Sequence, residues 1–236
     1  MKILLIAPYV SLNYERSKNE MIREDFYPSA ALLHLGAILR ANDHEPLLLD
    51  MNNAVVHSQR ENYLEFQKKQ IIENLDKHKP EMIGLNCLFS GVFPDVLEFA
   101  KLIKQKRPDI KIALGGIHAT TFPNEILSNC KDIDYIAIGE GENSIVALAA
   151  YVERKDKRIL ESIKSFAYRD EDGKVIINRQ KNYVEDLDAL PMPAWDLINL
   201  QKFEMDLNHY HNPKNLPIKY KAAIFSSRAC PLACNF

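Results

Sequence analysis

Cysteine is sparse in this chain of 236 residues, and its four copies are unevenly spread. Cys87 and Cys130 stand alone, while Cys230 and Cys234 lie close together at the extreme end. In a reducing compartment such a close pair argues for metal or redox chemistry over a structural disulfide. No charge of one sign dominates: 30 Lys and Arg face 32 Asp and Glu, a net charge of −2. Neither nucleic acid nor an anionic membrane is therefore expected as a partner. No apolar run approaches the roughly 20 residues that a membrane-spanning helix needs. The opening Met1–Pro8 stretch has too short an apolar run for a signal peptide and lacks a small-residue cleavage site. It reads as a buried strand, and the protein as cytoplasmic. Internal repeats and low-complexity tracts are missing too. Pro8–Asn13 has no glycine, which a nucleotide-binding loop after a first strand would need. Asn86-Cys87-Leu88 stands where a receiver domain would place a phosphorylatable Asp.

What is present is 47% hydrophobic and 26% charged, an ordinary globular composition. It alternates between strand-like and helix-like segments. Lys2–Ala7 is continuously apolar, as a strand buried on both faces requires. Ser29–Arg40 has the helical period, with Leu32, Leu33, Leu35, Ile38 and Leu39 on one side. The series continues with strand Pro46–Asp50, helix Asn62–His78, strand Met82–Asn86 and helix Pro94–Lys106, which Arg107-Pro108 stops. Strand Ile110–Leu114, a short helix at Asn124–Ser128, strand Tyr135–Ile138 and helix Asn143–Val152 complete it.

Five strands separated by helices pair in parallel through right-handed crossovers. The predicted fold is α/β, a doubly wound, flavodoxin-like sheet of Rossmann type with strand order 2-1-3-4-5. Ligands in such sheets bind beyond the carboxyl ends of the strands. The segments Pro8–Ser11, Asn86–Gly91, Gly115–Thr121 and Gly139–Glu142 occupy that edge. Candidate contacts there are Pro8, Tyr9, Asn86, Cys87, Leu88, Gly115, Gly116, Ile117, His118, Thr120, Gly139, Glu140 and Gly141. Cys87 reads first as a small buried hydrophobe. Cys130 reads as inert, and His118 equally well as a plain loop histidine.

Past Arg154 the pattern changes. Lys155–Arg158 is a charge-rich connection, and Ser165–Arg179 reads as a hairpin around Asp170-Glu171-Asp172-Gly173. Asp188–Leu197 is extended and marked by Pro191 and Pro193, with Trp195 as a packing anchor between domains. Lys221–Ser227 reads as a strand running straight into Cys230. The predicted division is a ligand-binding domain over 1–154, a linker with a hairpin over 155–220, and the truncated start of another domain over 221–236. His209 and His211 stay without a role.

The string Ser226-Ser227-Arg228-Ala229-Cys230-Pro231-Leu232-Ala233-Cys234-Asn235-Phe236 resembles the Cys-x3-Cys-x-aromatic-Cys motif of radical S-adenosylmethionine enzymes, read as far as its aromatic residue. The resemblance implies Cys230 and Cys234 as thiolate ligands of a [4Fe–4S] cluster. A third cysteine is expected next, and one iron is left open for S-adenosylmethionine. Four further strings resemble the cobalamin-binding class of these enzymes: Phe26–Arg40, Gly115-Gly116-Ile117-His118-Ala119-Thr120, Asp134–Glu142 with its Gly-Glu-Gly-Glu loop, and Leu190–Asp196. Together the resemblance covers essentially the whole chain.

The resemblance implies cobalamin on the sheet edge, with Gly115, Gly116, Gly139 and Gly141 letting the cofactor approach the backbone. It implies methyl transfer to an unactivated carbon of a small-molecule substrate, or an oxidative ring closure. A 5′-deoxyadenosyl radical would start the reaction, fed by an electron donor such as flavodoxin or ferredoxin. This chain alone would be inactive. One departure stands out: Ala7 is not followed by the Asp-x-His-x-x-Gly element with which mutases place a histidine under cobalt. No histidine ligand to cobalt is expected here. The competing reading is a non-catalytic, doubly wound nucleotide-binding or receiver-like module.

Overall fold

Lys2–Ala7 forms β1, and Ile3 through Ala7 are all buried because the strand lies between two neighbours with helices on both faces. The structure is a computed structural model that describes residues 1–9, 27–52, 63–203, 217, 224, 225, 227 and 228. The other strands are β2 (Glu45–Asp50), β3 (Met82–Asn86), β4 (Lys111–Gly115), β5 (Tyr135–Ala137), β6 (Phe166–Arg169) and β7 (Val175–Asn178). The described helices are α1 (Ala30–Ala41), α2 (Tyr63–His78), α3 (Phe93–Lys106), α4 (Ile117–Thr121), α5 (Pro123–Asn129), α6 (Glu142–Arg154) and α7 (Lys157–Ser162), with short 3-10 turns besides.

The strands make one sheet in the order β2-β1-β3-β4-β5-β6-β7. The first five are parallel in the expected order, with Ile6 level with Leu49 and Leu85, and Asn86 level with Gly115. The hairpin departs from expectation, because it extends this sheet. β6 runs antiparallel to β5, pairing Tyr135 with Tyr168 and Ala137 with Phe166. The physical reason is twofold. A three-residue β5 at the rim would expose unpaired backbone groups. The hairpin also has its own apolar residues to bury, and Phe166 and Ala167 are buried in the joined sheet. Arg169 fixes the junction by donating to the carbonyls of Leu127 and Ile133 at 2.8 and 2.6 Å.

Alternation along β1 divides the core. Leu4 and Ile6 pack with Ile71, Leu75, Phe99 and Ile103 on the face covered by α2 and α3. Ile3, Leu5 and Ala7 pack with Leu32, Leu39, Ile145 and Leu148 on the face covered by α1 and α6. Ser29 caps α1 by accepting from the Leu32 N–H. The proline-marked segment docks on the same helix. Ala194 donates to the Leu33 carbonyl at 3.1 Å, and Arg40 grips Asp196 with both guanidinium nitrogens at 2.5 and 3.1 Å.

Cys230, Cys234, His209 and His211 lie outside the described residues, as does most of the strand expected over Lys221–Ser227. Among the described residues no helix is long and apolar enough to cross a membrane.

Candidate functional site

All five parallel strands end on one side of the sheet, and there the layer of α1 and α6 is notched by a cavity of about 1040 Å³. Its floor is Leu5, Gly84 and Ala113 from β1, β3 and β4. Ala31, His34 and Leu35 of α1 form one wall, and Ser144, Ile145 and Leu148 of α6 another. The rim comes from the loops after the strands, with Tyr183, Phe225, Ser227 and Arg228 joining from the far end of the chain.

Most residues singled out from the sequence line this space: Pro8, Asn86, Leu88, Gly115, Gly116, Ile117, Thr120, Gly139, Glu140 and Gly141. Three do not. Tyr9 is buried, with its N–H donating to Gln67 Oε1 at 2.8 Å and its ring 5.8 Å from that of Tyr63. Cys87 falls on the opposite side of the backbone from Asn86, in the core under α2 and α3. Burial pushes its thiol up to about 12, so it offers no thiolate at neutral pH. His118 places Nδ1 2.9 Å from Ser90 Oγ and its ring between Phe93 and Phe122, and burial lowers its pKa.

The glycines divide into two kinds. Gly116 has φ of 104°, and a Cβ on it would meet the Cys87 carbonyl oxygen at 2.4 Å and Asn86 Oδ1 at 2.8 Å. The turn is stitched to β3 by Cys87 N–H to the Gly115 carbonyl at 2.8 Å and His118 N–H to the Cys87 carbonyl at 3.2 Å. Gly116 is thus demanded by the chain's own packing. Gly115 and Gly139 also line the cavity, and a Cβ on either would meet no protein atom within 4 Å, although the φ of 73° at Gly139 also calls for glycine in the backbone. At these two positions the missing side chain leaves bare backbone facing the cavity. Thr120 holds the second in place by accepting the Gly139 N–H at 2.9 Å.

Charge is concentrated at one end. Arg228 Nη2 lies 2.5 Å from Glu142 Oε1, and Nη1 lies 3.4 Å from Glu140 Oε1. The other oxygen of Glu140 accepts the Val184 N–H at 2.6 Å. His34, beside them, has a buried Nδ1 with no partner among the described residues. Its pKa is lowered, chiefly by burial and then by the Arg228 charge, against the pull of Glu142. Behind Ser29 and Asn52, which line the cavity, the buried Asp50 accepts the Ser29 N–H at 2.7 Å and the Asn52 N–H at 3.1 Å.

Sequence reasoning named none of Gly84, His34, Tyr183 and Phe225 as a contact here; it placed Glu142 at this edge only as the end of Gly139–Glu142, and read Ser227 and Arg228 only as part of the motif string. An isolated glycine inside an apolar strand signals close approach and pointed to Gly84. A lone polar residue between Leu33 and Leu35 pointed to His34. Nothing local connects Arg228 with Glu142, which is 86 residues away.

A doubly wound sheet with a large cavity at its carboxyl edge, backed by bare glycine, is a binding domain for a bulky organic ligand. Residues 23–149 match the B12 binding domain family, and the chain belongs to it. It is 26% identical to the anaerobic magnesium-protoporphyrin IX monomethyl ester cyclase of Rubrivivax gelatinosus, matched over all of this chain and 38% of the relative. It is 24% identical to the cytidylyl-2-hydroxyethylphosphonate methyltransferase of Streptomyces wedmorensis, over all of this chain and 47% of the relative. The chain thus spans less than half the length of these curated relatives. The same fold occurs in the cobalamin-dependent S-adenosylmethionine radical enzyme OxsB, solved with aqua-cobalamin and S-adenosylmethionine bound. That match has a TM-score of 0.65 at 20% identity and covers 86% of this chain and 25% of that one.

The residues present fit a corrinoid. The cavity is large, its glycines offer bare backbone, and the unpartnered His34 Nδ1 can answer a polar side group. The module reading based on a nucleotide or a phosphorylated Asp is set aside by the family match. Among the described residues no group of three or more His, Cys, Asp or Glu could hold a metal ion.

Proposed function

We propose that this chain is the cobalamin-holding part of a cobalamin-dependent radical S-adenosylmethionine enzyme that transfers a methyl group to an unactivated carbon or closes a ring oxidatively. The observation carrying the reading is the pair of bare glycines, Gly115 and Gly139, facing a cavity of about 1040 Å³ in a domain of the B12 binding family. Leu5, Gly84 and Ala113 would bed the apolar part of the ligand, and Gly115 and Gly139 would let it lie against the backbone. His34 Nδ1 and Asn86 would take its amide groups. Bound cobalamin supplies a carrier for a methyl group or an electron; the chain supplies placement and exclusion of water.

Cys230 and Cys234 would be cluster ligands in the whole protein, alongside S-adenosylmethionine. A cytoplasmic flavodoxin or ferredoxin would be its electron donor, and its substrate a small molecule. Both the cyclase and the methyltransferase among the relatives support these two reaction classes. The cobalamin unit would comprise the whole seven-stranded sheet, with a connection leading to the radical domain from about residue 221.

The test is direct. Incubation with hydroxocobalamin followed by desalting should leave close to one corrinoid per chain, read from the visible spectrum. No retained corrinoid at micromolar protein rejects the cofactor assignment.

A further inference from the structure

Among the described residues that line the cavity, Arg228 is the one Lys or Arg. Its partner Glu142 opens α6 with a side chain only 8% exposed. A carboxylate that dry needs a cation or several donors, and Arg228 supplies the cation at 2.5 Å. A second carboxylate, Glu140, stands 3.4 Å from the other guanidinium nitrogen and is itself held by the Val184 N–H. One guanidinium therefore ties together three pieces of chain: the loop after β5, the stretch through Tyr183 and Val184, and the segment holding Phe225 and Ser227. Phe225 and Ser227 line the same cavity. In sequence, Cys230 follows two residues after Arg228.

We propose that Arg228 is a positioning residue that latches Phe225, Ser227 and itself against the cavity, so that ligand retention and the placement of these residues, close before Cys230 in sequence, are one equilibrium. The proposal rests on the cobalamin reading of the cavity. A solvent-exposed ion pair would have little hold. This one differs because Glu142 is buried and two carboxylates share the guanidinium. Removing Arg228 alone strands a desolvated charge, whereas removing both partners strands none. Coupling of this kind is reciprocal: if the latched segment slows ligand escape, the ligand must equally stabilise the latched segment.

The experiment compares wild type, Arg228→Lys, Arg228→Met, Glu142→Gln and the Arg228→Met/Glu142→Gln double variant. Each is loaded with hydroxocobalamin and desalted, and the corrinoid remaining is followed with time. Arg228→Met should release the corrinoid about tenfold faster than wild type. The added Glu142→Gln should recover most of that loss, and Arg228→Lys should fall between. In parallel, chymotrypsin cleavage after Phe225 is timed with and without hydroxocobalamin. The cofactor should slow cleavage in wild type and leave it unchanged in Arg228→Met. Release from Arg228→Met at the wild-type rate, or wild-type cleavage indifferent to hydroxocobalamin, overturns the latch. If wild type retains no corrinoid, the cofactor reading fails, and ligand-free cleavage alone decides the latch. In that arm Arg228→Met cut no faster than wild type rejects it, and faster cutting upholds it.

Discussion

The Cβ that Gly116 lacks would stand 2.4 Å from the carbonyl oxygen of Cys87, which locks the turn after β4 to the end of β3. Gly116→Ala should therefore destabilise the fold by about 2 kcal/mol or more, from positive φ and from the clash with rigid backbone. Its neighbour behaves oppositely. Gly115→Leu fills space that no protein atom occupies, so it should keep the unfolding temperature and lose cobalamin. Thermal unfolding and the visible spectrum of each variant separate the two effects. A Gly116→Ala protein as stable as wild type contradicts the turn geometry.

Asp50 gives the chain a pH dependence of unusual sign. Burial pushes its carboxyl up to about 6, in spite of the donors from Ser29 and Asn52. The unfolded chain releases this proton near 3.9. The folded chain thus binds the proton more tightly, and the group's contribution is complete below about pH 4 and is lost as pH rises through about 6. Between pH 5 and pH 7 wild type should lose about 1 kcal/mol relative to Asp50→Asn. Unfolding in denaturant at the two pH values measures it, and a constant difference between the proteins refutes it.

His34 acts in the reverse direction. Its lowered pKa means that the unfolded chain binds its proton more readily, so stability falls as pH drops below about 6.5. Burial is the first cause and the Arg228 charge the second. Arg228→Met should accordingly raise the His34 titration midpoint, as followed by the imidazole proton resonances. A midpoint that stays put removes Arg228 from the neighbourhood of His34.

Cobalt in the loaded chain should carry no nitrogen from a histidine of the protein, since no Asp-x-His-x-x-Gly element follows β1. Paramagnetic resonance of the cob(II)alamin form reports axial nitrogen as a superhyperfine splitting. The histidine to watch is His34, which lines the cavity, and not His118, which is held by Ser90. A splitting that disappears in His34→Ala would show the prediction to be wrong.

The chain of 236 residues brings two closely spaced thiolates, Cys230 and Cys234, where the motif it resembles takes three. Cys87 is buried with its thiol raised to about 12, and cannot stand in. Anaerobic reconstitution with iron and sulfide should leave far fewer than the four irons of a full cluster on each chain. A complete cluster on this chain would refute the assignment of its cysteines.

The parallel sheet was legible because each strand is a short apolar run between helical patterns, Lys2–Ala7 the plainest of them. The hairpin was recognised as a hairpin but not as a part of the sheet. Its pairing depends on β5 ending after three residues, and no pattern within Phe166–Asn178 records that. Glycine content located the carboxyl edge, yet it did not separate Gly116, which serves the fold, from Gly115, which serves the cavity. That distinction lies in φ and in the position of the Cys87 carbonyl. Cys87 follows β3 and His118 lies in the short helix α4, both at the ligand edge, and only alternation and packing decide that their side chains turn away. The grip of Arg228 on Glu140 and Glu142 joins distant parts of the chain, and periodicity carries no trace of it.

β1 precedes both of its sheet partners in the chain, β2 ending at Asp50 and β3 at Asn86. On the ribosome, the edge of β1 that meets β3 must stay unpaired until the chain has grown past Asn86. At usual rates of translation that wait is on the order of ten seconds. Throughout it Ile3 to Ala7 present an open edge of uncharged, apolar strand, of the sort that chaperones capture and aggregates recruit. The place between β2 and β3 that brings Leu5 and Ala7 to the finished cavity is the same one that leaves this strand half-paired in the nascent protein.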